Sequence, residues 1–198
     1  MISLYNIKPR FQQLLRPVLE FLHKYGVTAN AITWSAIVLS FLAGAFFWWK
    51  PNGISLIIVP LSLLVRMALN ALDGMMARTY NMQSKKGEIL NELGDVVADI
   101  FMFLPLLKLS SMHPMVLAAF ILLSTINEFT GVLAKAINGE RRYDGPMGKS
   151  DRALMIGLLL LVLYCFPAAF VSVNYVIGAG SLLLILSTAL RIKRTLNS

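Results

Sequence analysis

Apolar runs close to twenty residues long recur along this chain, and nothing else in it restricts the fold as strongly. About 20 apolar residues carry a helix across the hydrocarbon core of a bilayer. Every backbone polar group in lipid has to be satisfied inside the segment or a closed barrel. With 57% of its 198 residues hydrophobic and 14% charged, the chain is too apolar for an ordinary soluble protein. The runs predict six spans at about 31–49, 54–78, 87–109, 114–137, 153–170 and 175–190. Residues 3–24 read differently. Leu4, Ile7, Phe11, Leu14, Leu15, Val18 and Leu22 recur at helical spacing between polar residues, which predicts an interfacial amphipathic helix, bent or interrupted at Pro17. The alternative is a soluble amphipathic helix packed on a partner. The expected architecture is an all-α integral membrane protein forming a single domain over 1–198. Residues 1–26 would form the amphipathic juxtamembrane helix and 27–198 a bundle of six transmembrane helices.

The formal charge of +8 gains meaning only from where the cations fall. With the amino terminus in the cytosol, Lys8, Arg10, Arg16, Lys24, Arg78, Lys85, Lys86, Lys135, Arg141, Arg142, Lys149, Arg152, Arg191, Lys193 and Arg194 lie on or near the cytosolic side. Only Lys50 and Lys108 lie outside, with Arg66 inside a span. That is the positive-inside asymmetry. It accounts for the basic balance without nucleic acid and makes anionic lipid head groups the electrostatic partners. Both termini are expected in the cytosol. Cys165 is the only cysteine, and His23 and His113 fall on opposite expected sides of the membrane, so neither a disulfide nor a zinc site is indicated.

Polar groups concentrate in one stretch, Asn70-Ala-Leu-Asp73-Gly74-Met-Met-Ala77-Arg78, then eight residues, then Gly87-Glu-Ile-Leu-Asn91-Glu-Leu-Gly-Asp95. At helical spacing Arg66, Asn70, Asp73 and Ala77 share one face, and Glu88, Asn91, Asp95 and Asp99 share another. Folded together by the short turn between them, these faces make a cluster of oxygen ligands suited to a hard divalent cation. A helix hairpin with a few cytosolic charges is the plainer reading. Ionisable groups in and beside membrane helices are costly, however, and usually functional.

The stretch resembles the signature of the CDP-alcohol phosphotransferase (CDP-alcohol phosphatidyltransferase) family, D-x-x-D-G-x-x-A-R, eight residues, G-x-x-x-D-x-x-x-D. Asp73, Gly74, Ala77, Arg78, Gly87 and Asp95 match it in type and spacing, while Asn70 and Asn91 stand where the first and third aspartates would be. The resemblance is to a bacterial inner-membrane branch. It implies a multi-pass protein of the cytoplasmic membrane, with its active site on the cytosolic face, working as a homodimer. The implied reaction moves the phosphatidyl group of a CDP-alcohol such as CDP-diacylglycerol to an acceptor alcohol and releases CMP. By the same resemblance Asn70, Asp73, Asn91 and Asp95 hold one or two Mg²⁺ or Mn²⁺ ions. Asp95 is the catalytic general base, and Asn30, Thr33, Gly74, Ala77, Arg78, Ser84 and Gly87 bind the CDP-alcohol. Asn30 and Thr33 resemble the family's P-N-x-x-T, with Ala29 in place of the proline. Two neutral amides lower the negative charge at the ion, so metal binding is expected to be weaker or reduced to one ion, with Asp99, Glu88 or Glu92 as candidates to restore it.

Glu128 lies in the expected fourth span on the face of Ser124, Gly131 and Lys135, and Arg66 is its expected cationic partner. The loop from Asn138 to Arg152 is rich in Gly and basic residues. It reads either as a solvated positive-inside connector or as an anion pocket in which Arg141, Arg142, Lys149 and Arg152 bind a phosphorylated acceptor. Two rival functions are a catalytically silent CDP-lipid-binding scaffold and a transporter using Arg66 and Glu128. Against transport, the polar groups gather at one membrane face and no matched pair of broken helices is apparent.

Overall fold

A computed structural model describes residues 8–197. The chain is all-helical: α1 (Lys8–Lys24), α2 (Ala29–Trp49), α3 (Ser55–Thr79), α4 (Lys85–Phe103), α5 (Pro114–Asn138), α6 (Lys149–Cys165) and α7 (Val173–Leu196). Short 3₁₀ turns follow α4 at Leu104–Lys108 and precede α7 at Pro167–Ser172. Leu4 and Ile7, which entered the amphipathic expectation, lie outside the described residues. The remainder forms a helix continuous through Pro17, whose ring displaces a hydrogen bond to the exposed Gln13 carbonyl that water can replace. Leu15 and Leu19 pack on Ile32, Leu72 and Met76, whereas Leu14, Val18 and Phe21 are exposed on the other side. His23 stacks on Tyr80, their ring centroids 3.5 Å apart, and ties α1 to the end of α3.

The expectation of six spanning helices is corrected to four. Ala29–Trp49, Ser55–Thr79, Pro114–Asn138 and the Pro167–Leu196 segment are long and apolar enough to cross a membrane. The third and fifth expected spans are not. α4 carries Lys85, Lys86, Glu88, Glu92, Asp95 and Asp99 within 19 residues, and Pro105, which lacks an N–H, lies in the 3₁₀ turn that follows it. α6 has only 17 residues and opens on Lys149, Asp151 and Arg152. Its length is about 25 Å at the helical rise, against a hydrocarbon core of about 30 Å.

α2 packs against both α3 and α4, α5 against α7, and α3 against α6. Contact between α2 and α4 depends on Gly44, where a Cβ would lie 2.0 Å from the Phe101 carbonyl oxygen. A continuous apolar core from Phe47, Leu63, Phe103, Phe120, Leu160, Val173 and Leu184 joins the helices away from the motif. At that far end Lys108 sits 4.4 Å over the Trp48 ring, and Asn174 bonds the backbone of Ser111 and His113. The opposite end receives the start of α2, the close of α3, the start of α4, the close of α5, the start of α6 and the close of α7. Their polar residues meet there around one cavity.

Candidate active site

The cavity has a volume of about 950 Å³ and is lined from α1, α2, α3, α4, α5, α6, α7 and the loop before α6. That is ample for a nucleotide head group. Asn30, Thr33, Asn70, Asp73, Gly74, Ala77, Arg78, Ser84, Gly87 and Asn91 all line it, so the structure brings together every position expected to face a CDP-alcohol. Ser84 caps α4, its hydroxyl accepting from the Gly87 N–H at 3.0 Å. A Cβ on Gly87 would come within 2.7 Å of the Asn30 side-chain oxygen, so a side chain there would displace the Asn30 amide from its place in the wall. Gly74 leaves room on its own helix for Arg78, whose guanidinium nitrogens would lie 3.2 and 3.3 Å from a Cβ there. Arg78 is exposed in the cavity and has no carboxylate partner among the described residues.

The two motif carboxylates are held differently. Asp73 is buried, and its Oδ2 accepts from the Thr33 hydroxyl at 2.9 Å and from the Asn91 amide at 3.0 Å. Its Oδ1 is buried with no hydrogen-bond partner. Asp95 is buried too but does not line the cavity. Its Oδ1 accepts from the Asn70 amide at 3.0 Å, and its Oδ2 is paired with the Lys149 ammonium.

Behind them runs a chain of buried or half-buried charges in which carboxylate and cation alternate: Glu92, Arg141, Glu128, Arg152, Asp99, Arg66, Asp95 and Lys149. Arg66 reaches Asp99 at 2.6 Å, and Arg152 reaches Asp99 at 2.8 Å and Glu128 at 2.9 Å. Glu128 therefore pairs with Arg152 and Arg141, the latter at 2.7 Å, and not with Arg66 as expected. Burial pushes the Glu92 carboxyl above its ordinary range, with Arg141 drawing it back. Burial opposes the charge on Arg152, but Asp99 and Glu128 outweigh it and hold the guanidinium protonated.

The basic loop divides. Arg141 and Lys149 line the cavity, while Arg142 lies off it, its guanidinium donating to the Arg194 carbonyl at 3.5 Å. Arg152 has no exposed surface and sits beneath the cavity, locked to Asp99 and Glu128. Nor is the loop a solvated connector: the Ser187 hydroxyl and Arg191 Nε both donate to the Asp144 carbonyl at 3.1 Å. The carboxylates expected to supplement the motif are taken. Glu88 pairs with Lys135, Glu92 with Arg141, and Asp99 with Arg66 and Arg152.

Among the described residues no three of His, Cys, Asp and Glu come together as a metal site. The donor set nevertheless fits a divalent ion in one place. A buried carboxylate oxygen without a donor, Asp73 Oδ1, lies on an aspartate that lines the cavity with the Asn70 and Asn91 amides, and such oxygens suit a hard cation.

The CDP-alcohol phosphatidyltransferase family matches residues 26–191 of the chain. The chain belongs to that family. It is an enzyme of the CDP-alcohol phosphatidyltransferase type, which transfers a phosphatidyl group from a CDP-alcohol. It is 45% identical over 184 residues to the inner membrane protein YnbA of Escherichia coli (strain K12), covering 93% of this chain and 92% of that one. This agrees with a multi-pass protein of the inner membrane. An uncharacterized protein of Aquifex aeolicus (strain VF5) is 34% identical over 98 residues, 50% of this chain and 48% of that one. The fold is similar to crystal structures of Mycobacterium tuberculosis phosphatidylinositol phosphate synthase. One has CDP-DAG bound (TM-score 0.76, 16% identity, 92% and 94% of the two chains). Another is in complex with manganese and citrate (TM-score 0.74, 17% identity, 90% and 87%).

One cavity residue of this CDP-alcohol phosphatidyltransferase escaped the sequence reading. Arg191 was expected only to anchor the chain end. It is 1% exposed, lines the cavity and donates to the Asn127 carbonyl at 2.5 Å. A signal existed: Ser187, Arg191 and Thr195 make a polar i, i+4 stripe on an apolar helix, and all three are buried.

Proposed function

We propose that this protein transfers the phosphatidyl group of CDP-diacylglycerol to a phosphorylated acceptor alcohol, releasing CMP at the cytosolic face of the inner membrane. It would do so as a single-domain homodimer with both termini in the cytosol. The observation that carries the reading is the cavity wall: it is lined both by Arg78, an arginine without a counter-ion among the described residues, and by Asp73, whose Oδ1 is buried without a donor. One side of that space suits a phosphate and the other a cation, which is the pairing a nucleotide pyrophosphate requires.

Arg78 holds the CDP phosphates, with Gly74 giving its guanidinium room over the helix and Ala77 leaving the wall open. Asn30, Thr33, Ser84 and Gly87 shape the nucleotide end. Mg²⁺ or Mn²⁺ would take its donors from Asp73, Asn70 and Asn91, the set implied by the resemblance without Asp95, whose oxygens are held by Asn70 and Lys149. When bound it would offset the charge that develops as CMP leaves. The acceptor hydroxyl attacks the phosphorus that carries diacylglycerol, the bond from that phosphorus to the CMP phosphate oxygen breaks, and the hydroxyl proton passes to Asp95. Arg141, with Arg191 beside it, draws the acceptor's phosphate to the cavity. Asparagine at positions 70 and 91, in place of the motif's aspartates, would mark a branch of the family with lower negative charge at the ion.

The test is CMP release from CDP-diacylglycerol in lipid nanodiscs with Mn²⁺ and a panel of phosphorylated and plain alcohols. Acceptor-dependent CMP release, lost in Asp73→Asn, supports the reading. CDP-lipid binding without release by any acceptor would overturn it in favour of a silent binder.

A further inference from the structure

The resemblance implies that both motif aspartates hold the ion, but in this molecule only Asp73 lines the cavity. Asp73 presents a buried oxygen that nothing satisfies on a side chain that lines the cavity. Asp95 has neither property. One oxygen accepts from Asn70, the other is paired with Lys149, and Arg66 stands 3.9 Å from the first while donating to the Asp95 backbone carbonyl at 3.1 Å. Lys149 lines the cavity where Asp95 does not, so the ammonium is the surface that a ligand meets above that carboxylate.

Lys149 also springs from a fixed stretch of backbone. It opens α6, whose first turn is fixed by the Asp151 carboxylate accepting from the Gly148 N–H at 3.1 Å. Three residues on, Arg152 is fully buried between Asp99 and Glu128. The side chain therefore springs from one of the most tightly held backbone segments near the cavity. The neighbouring carboxylates do not compete for it, because Glu88, Glu92 and Asp99 each have a cation of their own. Charge bookkeeping points the same way. Asp73 and Asp95 bring two negative charges and Lys149 one positive. Before the pyrophosphate binds, a single divalent ion leaves the group at about +1, while a second would leave it at about +3 in a partly buried site, where uncompensated charge is costly.

We infer that Lys149 is a resident cation of this active site: its ammonium occupies Asp95, so the protein takes one divalent ion, on Asp73, beside a tethered positive charge. Asp95 is then a partner of Lys149 and not a metal ligand. The inference rests on the proposed transferase reading for its purpose, but its test reads metal binding directly.

Mn²⁺ binding to the detergent-solubilised full chain, followed by electron paramagnetic resonance and calorimetry, should give one ion per chain. Lys149→Gln should tighten Mn²⁺ at least tenfold, by freeing Asp95 and removing a neighbouring positive charge, and Lys149→Arg should keep the wild-type affinity. Asp95→Asn combined with Lys149→Gln removes the pair without changing the net charge, and should leave Mn²⁺ affinity within threefold of wild type. Two ions in the wild-type protein, an unchanged affinity in Lys149→Gln, or a collapse of affinity in the double variant would each overturn the inference. Wild-type CMP release, measured on the same preparation, separates the outcomes. If it is absent while one Mn²⁺ binds as described, the transferase reading fails and the resident cation stands.

Discussion

The two ends of this helical bundle are built from the same helices by opposite means. At the far end Phe103, Leu106, Leu109, Met112, Leu117 and Val173 are buried against one another, and the contacts of charge are marginal, such as Lys108 over Trp48. At the cavity end the helices part to leave about 950 Å³, and what joins them across the gap is the alternating chain of carboxylates and cations from Glu92 to Lys149. Apolar packing closes space, so it cannot hold helices apart around a polar substrate. A buried ionic chain can, because each member is costly alone and tolerable only with its neighbours in place.

The sharpest way to break the comparison is at the centre of that chain. Arg152→Met should destabilise the protein by about 3–5 kcal/mol, since it leaves Asp99 and Glu128 buried with one cation fewer. Unfolding in detergent, followed by circular dichroism, reads this. An unchanged midpoint would mean that the ions merely decorate a bundle held by its apolar end. Leu160→Ala, at a fully buried core position, should cost about 2–5 kcal/mol through lost contacts and the cavity left behind. Unlike Arg152→Met, it should leave Mn²⁺ affinity unchanged in the folded protein. Arg78→Gln tests whether the cavity's unpaired cation serves ligand alone. CDP-diacylglycerol affinity should fall by about 1.5–3 kcal/mol, roughly tenfold to a hundredfold, with the unfolding midpoint unmoved. Smallest is Lys108→Ala at the far end, where loss of the contact with Trp48 should cost about 0.5–1 kcal/mol and should not register in CMP release.

Sequence reading reached the cavity end in outline because motif spacing is a local property. Asn70, Asp73 and Arg78 fall on one helix, Gly87, Asn91 and Asp95 on the next, and helical periodicity places each on its face. Partner choice is not local. Glu128 was assigned to Arg66 by depth alone, yet Arg141 and Arg152 reach it first, since α6 and the loop before it fold back under the cavity. The same fold-back takes Arg152 out of the group that could meet an acceptor, although its charge and its place in the loop resembled those of Arg141. The spans were overcounted for a different reason. α4 is apolar only on the sides that its ionic face leaves free, and Pro105 and Pro167 limit α4 and α6. Those prolines were visible in the sequence, but an apolar average over twenty residues conceals them.

The crossing at Gly44 has a mechanical meaning for a protein that lives in lipid. With the α2 backbone seated against the Phe101 carbonyl of α4, a side chain brought to that point by sliding would meet backbone, so the crossing favours one register of the two helices. Bilayers differ in thickness, and helices answer mainly by tilting. A fixed register between α2 and α4 also sets where Asn30 of α2 meets Gly87 of α4 at the mouth of the cavity, so a lipid-driven tilt of α2 would be felt there first.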